Sequence, residues 1–353
     1  MNVRRLIPAT AVAGASALAL VTLSACSGSE AAGGGKNDGK VDVVASFYPM
    51  QYLAEQIGGE HVAVTSLTKP GVEPHDLELK PRQTSELRQA DYVLYLKGIQ
   101  PAVDDAIAQA GVENTVDAAT LTRLESHGTG VGHDHGHGHE GEEHAGEEHG
   151  AHEGEEHAAE EHGAHEGEEH AAEEHGEEGA GADPHVWLDP VKYAEVAKGV
   201  GASLAKADPA HAADYRKNTD TLVAKLKALD TRFAEGLKNT GTRTFITTHS
   251  AFGYLAERYG LEQEGVAGID PESEPSPARI KELQAVAKKD KVTTVFFETL
   301  ASDRTAKTLA GDTGLKTDVL DPLEGITDRS KGDDYIEVME SNLAALQKAL
   351  GAK

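Results

Sequence analysis

Residues 41–57 read VDVVASFYPMQYLAEQI and join a predicted strand to a predicted helix. The first seven residues are rich in β-branched side chains and predict a buried strand, whereas the residues from Pro49 onward predict a helix. Further strands are predicted at 61–67 and 92–96, and further helices at 84–89 and 101–110. Because strand and helix alternate, this half of the chain is predicted to form a mostly parallel sheet covered by helices.

A second series of the same kind follows in the C-terminal third of the chain. Strands are predicted at 244–247, 293–297 and 317–320, and helices at 251–259, 277–289, 305–311 and 333–350. Apolar residues of the intervening segment 209–238 recur at helical spacing, and a helix of this length would measure roughly 40 Å. We therefore predict an α/β protein with two Rossmann-like lobes, at 41–206 and 241–353, linked by one long rigid helix at 207–240.

The N-terminus has the organisation of an export signal. Arg4 and Arg5 precede an apolar run, and the sequence Leu-Ser-Ala-Cys follows at 23–26, which predicts a signal peptide over 1–26. Cys26 is the only cysteine, so no disulfide can form within the chain. Its position resembles the lipobox of bacterial lipoproteins, which implies a lipidated Cys26, a flexible tether over 27–40 and a membrane-anchored, extracytoplasmic protein. The alternative is a plain signal peptide with a coincidental cysteine.

The charge of the chain is strongly negative and unevenly distributed. The formal net charge is −27, which disfavours nucleic acid as a partner and favours cations. Residues 127–182 are mostly His, Glu, Gly and Ala, hold 13 of the 18 histidines, and contain one thirteen-residue unit twice, at 148–160 and 161–173. Because this unit has no aliphatic residue larger than Ala, it cannot bury enough apolar surface to offset its ordering entropy. We predict a disordered, solvent-exposed loop.

Three of the five remaining histidines lie where α/β folds place ligands. His75 lies in a loop after a predicted strand, His185 in the sequence DPHVWLDP at 183–190, and His249 at the end of the strand that begins at Thr244. Imidazole suits Zn²⁺, and three histidines with one carboxylate make a closed tetrahedral site. For any one of these histidines alone, a hydrogen-bonded structural role would be the better interpretation. The three together predict a metal site in the cleft between the lobes, whereas His61 and His211 are predicted to be structural.

Five short motifs together resemble the zinc-binding substrate-binding proteins of the ZnuA and AdcA type, which serve ABC importers. The motifs are ASFYP at 45–49, EPHD at 73–76, DPHVWLDP at 183–190, THSAFGYL at 248–255 and DPLEG at 321–325. The resemblance implies a monomeric binding protein, not an enzyme, that delivers Zn²⁺ to an ABC permease and its ATPase. It also implies two lobes on one rigid helix, with only small lobe movements on metal capture.

The resemblance carries the metal ligands of the family onto His75, His185 and His249. A fourth ligand in the family is often a carboxylate of the C-terminal lobe, for which we favour Glu324 over Asp321, with Glu298 or water as further alternatives. Asp76 and Asp189 are expected to orient the imidazoles. The histidine-rich loop is similar to an insertion of many zinc-binding members and is expected to gather Zn²⁺.

Three other functions stay open at the level of sequence. A surface zinc-buffering or adhesive lipoprotein would use the same ligands without transport. A manganese receptor would need a more oxygen-rich ligand set. A zinc hydrolase would need an open coordination position and a general base, and no His-Glu-x-x-His motif occurs outside the biased segment.

Overall fold

A computed structural model describes residues 39–127 and 182–353 of the chain. The N-terminal lobe contains a four-stranded parallel sheet in the order β2-β1-β3-β4. Its elements are β1 (Val41–Ala45), α1 (Tyr48–Gly58), β2 (Val62–Ser66), α2 (Pro81–Gln89), β3 (Tyr92–Tyr95), α3 (Pro101–Ala110) and β4 (Thr115–Asp117).

The C-terminal lobe repeats this arrangement with a parallel sheet in the order β6-β5-β7-β8. Its elements are β5 (Thr244–Thr247), α6 (Gly253–Tyr259), β6 (Glu262–Gly265), α7 (Pro277–Lys289), β7 (Thr294–Phe297), α8 (Arg304–Thr313), β8 (Lys316–Val319) and α9 (Tyr335–Leu350). The fold class predicted from the sequence, two α/β lobes with parallel sheets, is confirmed.

Helix α5 (Ala212–Gly236) connects the lobes, and α4 (Pro190–Ala207) precedes it in the chain. They pack against each other, and α5 also packs against α1 of one lobe and α9 of the other. At 25 residues, α5 is about 37 Å long. It lies inside the segment 207–240 predicted to link the lobes and is shorter than that segment, because residues 209–211 form a separate 3₁₀ turn. The domain boundaries themselves stay a prediction.

One apolar core runs through both lobes and α5. Polar atoms at its centre are bonded across the boundary between the lobes: the Trp187 indole donates to the Pro322 carbonyl at 2.7 Å, and the Tyr335 hydroxyl donates to the Trp187 carbonyl at 2.5 Å. Trp187 and Tyr335 are completely buried. Because close-packed cores resist deformation, this arrangement favours small movements of the lobes over wide opening.

Some of the sequence predictions concern residues that the structure does not describe. The predicted signal peptide, Cys26, most of the tether and residues 128–181 of the histidine-rich loop lie outside the described ranges. His127, which the sequence assigned to the loop, is described and contacts the folded core. Within 39–127 and 182–353, no helix is long and apolar enough to cross a membrane.

Candidate metal centre

Four side chains converge between the lobes. His75 follows β2, His185 precedes α4, His249 follows β5, and Glu324 follows β8. The Nε2 atoms of the three histidines lie 3.4, 3.2 and 3.3 Å, respectively, from one oxygen, Oε1 of Glu324. All four candidate ligand atoms lie within 4.8 Å of one another. The structure therefore brings together the four residues singled out in the sequence.

The cluster is almost sealed from solvent. His185 and Glu324 are completely buried, and His249 is 1% exposed. The His75 side chain is 10% exposed, so among the four it is the one that solvent reaches. Buried polar groups without partners are costly, and within the described residues His249 Nε2 and Glu324 Oε2 make no hydrogen bond. A buried imidazole nitrogen and a buried carboxylate oxygen without hydrogen-bond partners are expected where a cation would bind.

A tight turn after β8 positions Glu324. The Asp321 carboxylate accepts a hydrogen bond from the Leu323 amide at 2.9 Å, and Leu323 adopts a left-handed backbone with φ of 59°. Thr299 and Ser330 donate to the other Asp321 oxygen at 3.1 and 2.8 Å. Asp321, the second choice for a fourth ligand, is thus engaged in building the turn and is not part of the four-residue cluster.

Two buried carboxylates orient the imidazoles. Asp183 Oδ1 lies 2.8 Å from His185 Nδ1, and Glu298 Oε1 lies 2.8 Å from His249 Nδ1. When Nδ1 of each ring donates to its carboxylate, the Nε2 lone pair faces the centre, as metal ligation requires. Glu298, which the sequence offered as a weaker choice of ligand, occupies this supporting position.

The two aspartates expected to orient the rings lie elsewhere. Asp76 is exposed. Asp189 accepts from the Val191 amide at 2.8 Å, which caps α4, and pairs with Arg258 at 2.6 Å. The expectation for both residues was wrong, because an aspartate next to a ligand in sequence can point away from it. Asp183 could have been found instead, since it lies two residues before His185.

The charges of the cluster shift the pKa values of its members. Burial alone would lower the pKa of His249, but the neighbouring Glu298 and Glu324 outweigh it and raise that pKa well above its ordinary range. Burial would likewise raise the pKa of Glu324, but the three imidazoles around its carboxylate outweigh burial and hold that pKa well below its usual value. Burial, together with the charge of Glu324, raises the pKa of Glu73 to about 9. Without a metal ion, protons bound to His249 and Glu73 therefore offset part of the negative charge of the cluster.

The other two histidines outside the loop are remote from this cluster. The rings of His61 and His211 stack on each other with centroids 4.0 Å apart. His61 Nε2 lies 3.1 Å from Asp214, and His211 Nδ1 lies 2.6 Å from Asp208. These contacts join the segment before β2 to the start of α5, which agrees with the structural role predicted for both residues.

Comparison with known protein families gives a match along nearly the whole described chain. Residues 43–349 match the model of the family described as zinc-uptake complex component A, periplasmic. The chain belongs to this family. The match includes all four residues of the cluster and both carboxylates that orient the rings.

Individual members of the family are similar over most of this chain. The high-affinity zinc uptake system protein ZnuA of Bacillus subtilis is 35% identical over 341 residues, which are 96% of each chain. The zinc-binding lipoprotein AdcA of Streptococcus pneumoniae serotype 4 is 33% identical over 334 residues, 94% of this chain. The present chain spans only 59% of the length of that AdcA.

A solved structure in the family has the same fold. The Zn(II)-bound ZnuA-like domain of Streptococcus pneumoniae AdcA superimposes with a TM-score of 0.65 and is 30% identical. The comparison covers 88% of this chain and 99% of that domain. The two-lobed architecture is thus shared with a family member whose structure contains zinc.

Proposed function

We propose that this protein is an extracytoplasmic receptor that binds Zn²⁺ between its lobes and delivers it to the permease of an ABC importer. His75, His185, His249 and Glu324 would be the ligands of the transported ion. The observation that carries the proposal is the convergence of three imidazole Nε2 atoms on one buried carboxylate oxygen. The relatives named for zinc uptake and zinc binding support the same choice of ion.

The chemistry of the ligand set favours zinc over the alternatives. Three nitrogens and one oxygen suit a tetrahedral Zn²⁺, whereas Mn²⁺ prefers sites richer in oxygen. A hydrolase would need a free base beside an open coordination position. Two further carboxyl groups, of Glu73 and Glu298, lie beside Glu324. Glu298 already accepts hydrogen bonds from His249 and Thr248, and the pKa of Glu73, raised by burial to about 9, leaves that carboxyl protonated at neutral pH. The site therefore suits capture and release of an ion better than catalysis.

The remaining parts of the proposal concern location and partners. A lipid on Cys26 would hold the receptor at the outer face of the cell membrane, close to the permease and its ATPase. The proposal includes a monomer and no nucleic-acid partner, in keeping with the negative charge of the chain. A zinc-buffering or adhesive lipoprotein would share the site but would not be needed for zinc uptake.

Growth under zinc limitation tests the transport role. Deletion of the gene should prevent growth when a chelator removes zinc, and added Zn²⁺, but not Mn²⁺, should restore it. A plasmid copy of the wild-type gene should restore growth without added zinc, and a His249→Ala copy expressed to the same level should not. Normal growth of the deletion strain in chelator, with no second zinc receptor in the genome, would refute the receptor role.

Removal of residues 128–181 should leave the tight zinc site intact. All four proposed ligands lie outside this segment, and its two ends are already joined by an antiparallel bridge between Glu125 and Asp183. Titration in zinc-buffered solutions should give the same dissociation constant for the shortened and the complete chain, with fewer weakly bound ions in the former. Loss of tight binding in the shortened chain, while its circular dichroism is unchanged, would place the site in the segment.

Zinc affinity should fall as the pH falls. Burial opposes protonation of His185 and His249, but the adjacent carboxylates outweigh it and raise both pKa values, so Zn²⁺ must displace protons that persist above the ordinary range of about 6.5. The affinity should drop about tenfold per pH unit for each proton displaced. Titrations between about pH 8 and about pH 5.5 would measure this slope, and a flat profile would contradict the histidine ligands.

Replacement of Glu298 by Gln should weaken zinc binding by about tenfold. The Gln oxygen can still accept the His249 Nδ1 hydrogen, so the ring keeps its orientation, but the charge that increases the basicity of Nε2 is lost. The same titration measures the effect, with Asp312→Asn, which removes an exposed carboxylate of α8 in the same lobe, as the control. A loss as large as that of His249→Ala would instead make Glu298 a ligand.

A further inference from the structure

Another cluster of potential metal ligands includes His127, the last residue that the structure describes before residues 128–181 of the histidine-rich segment. Glu125, His127 and Glu257 offer ligand atoms that all lie within 4.8 Å of one another. His127 is the first of the 13 histidines between residues 127 and 182. None of the three residues belongs to the principal cluster, which contains His75, His185, His249 and Glu324.

The imidazole of His127 is arranged like those of the principal cluster. Its Nδ1 lies 2.7 Å from Asp183 Oδ2, and its Nε2 lies 2.8 Å from Glu257 Oε2. His249 shows the same pattern, with one buried carboxylate at Nδ1 and the shared carboxylate of Glu324 on the side of Nε2. In both places a carboxylate at Nδ1 turns Nε2 toward further carboxylate oxygens, which is the orientation that zinc ligation uses.

The folded core holds His127 in this position. The Tyr254 hydroxyl accepts a hydrogen bond from the Glu125 amide at 2.8 Å and donates one to the Asp183 carbonyl at 2.7 Å. It therefore connects the residues before the histidine-rich segment with those after it. The His127 ring packs edge-on against Tyr254 at 4.2 Å. A Cβ atom at Gly253 would lie 2.5 Å from His127 Cγ, which is too close for two carbon atoms. The ring can therefore lie this near to α6 only because residue 253 has no side chain.

The charge and the solvent exposure of the cluster determine its expected affinity for a cation. Three carboxylates, of Glu125, Asp183 and Glu257, surround His127. The ammonium of Lys192 lies 2.9 Å from Glu125 Oε1, and the guanidinium of Arg258, which lines the same pocket, is paired with Asp189. The excess of negative charge suits a divalent cation. The Glu257 side chain is 64% exposed, and Lys192 repels a cation, so affinity should be lower here than at the buried principal centre.

We infer that Glu125, His127 and Glu257 form a second Zn²⁺ site, weaker than the principal one, at the base of the histidine-rich segment. Asp183 joins the two sites, because its Oδ2 faces His127 while its Oδ1 accepts from His185 Nδ1. The inference is independent of transport, since it concerns binding of the ion at residues that the proposed receptor function does not use.

Zinc-buffered NMR of the complete chain tests the inference, because a chelator that fixes free Zn²⁺ prevents the segment from depleting it. Chain labelled with ¹⁵N-histidine would report on His127 Nε2, assigned by its loss in His127→Gln. Fluorescence of Trp187, the only tryptophan, would report on the principal site in the same samples, since its ring lies 5.1 Å from that of His185.

The expected result is two separate transitions. The His127 Nε2 resonance should move to a zinc-bound position at higher free Zn²⁺ than the Trp187 signal. Glu257→Gln should raise the His127 midpoint by about tenfold or more and leave the Trp187 midpoint unchanged. Glu235→Gln, which removes an exposed carboxylate of α5, should change neither midpoint.

Two results would overturn the inference. A His127 resonance that keeps its position at every free Zn²⁺ concentration would make the residue a hydrogen-bonded structural histidine only. An unchanged His127 midpoint in Glu257→Gln would exclude the proposed ligand set. A Trp187 signal that never responds to zinc would count against the principal site instead, so the two failures are distinguishable.

Discussion

Replacement of His249 by Ala should weaken zinc binding by about two to three orders of magnitude. Four-ligand zinc sites bind with about 10–16 kcal/mol, or about 2.5–4 kcal/mol for each ligand, which corresponds to this loss. His249 lies 3.3 Å from the Glu324 oxygen that the other two histidines of the cluster also approach, and since both of these are proposed ligands themselves, neither can take its place. Titration in zinc-buffered solutions would measure the change.

The control for this variant is His211→Ala, which removes a histidine remote from the cluster and should leave zinc affinity unchanged. His249→Ala also leaves the Glu298 and Glu324 carboxylates buried with one partner fewer, so its folding must be checked separately. A thermal melt of the metal-free variant followed by circular dichroism serves this purpose. A folded His249→Ala protein with wild-type affinity would remove His249 from the ligand set.

Replacement of Trp187 by Ala should lower the free energy of unfolding of the metal-free protein by about 3–5 kcal/mol. The indole is completely buried, packs edge-on against Phe47 with centroids 5.1 Å apart, and donates to the Pro322 carbonyl. The substitution therefore leaves a cavity and an unpaired carbonyl oxygen next to the turn that positions Glu324. Denaturant unfolding followed by circular dichroism would measure the loss without relying on the missing fluorophore.

A matched truncation on the surface controls for the loss of apolar volume. Val72 is 39% exposed, and Val72→Ala should change the free energy of unfolding by less than about 0.5 kcal/mol. Both measurements must be made without zinc, because a bound ion stabilises the folded state by mass action. If Trp187→Ala were as stable as Val72→Ala, the indole would not connect the lobes as proposed.

The sequence predicted the larger elements of the fold but missed two strands. Helices and strands with a buried face can be identified by the regular spacing of their apolar residues. The helix at 277–289 and the strand at 244–247 were predicted with the bounds that the structure shows. The strands β4 and β6 lie at the edges of their sheets, and neither has a run of buried side chains. Their pairing depends on backbone hydrogen bonds to a neighbour, which no local pattern records.

The sequence likewise predicted some features of the candidate site and left others undecided. Proline-containing loops after strands identified His75 and His185 as candidate ligands, and the end of β5 identified His249, because parallel strands deliver such loops to one edge of a sheet. Local sequence could not rank Glu324, Asp321 and Glu298 by geometry, since all three lie near strand ends of one lobe. Resemblance to the family favoured Glu324, and the fold brings that residue to the three histidines.

The sequence by itself determined two α/β lobes, an acidic chain with a histidine-rich segment, and the histidines available for a metal site. Only the tertiary structure decided which carboxylates face which imidazoles: Glu324 at the centre, Asp183 and Glu298 behind the rings, and Asp321 in the turn. The physical reason is that apolar periodicity acts through local backbone geometry, whereas the direction of a buried carboxylate depends on its partners in the folded core. Such a partner can lie more than a hundred residues away, as Glu324 and His185 show.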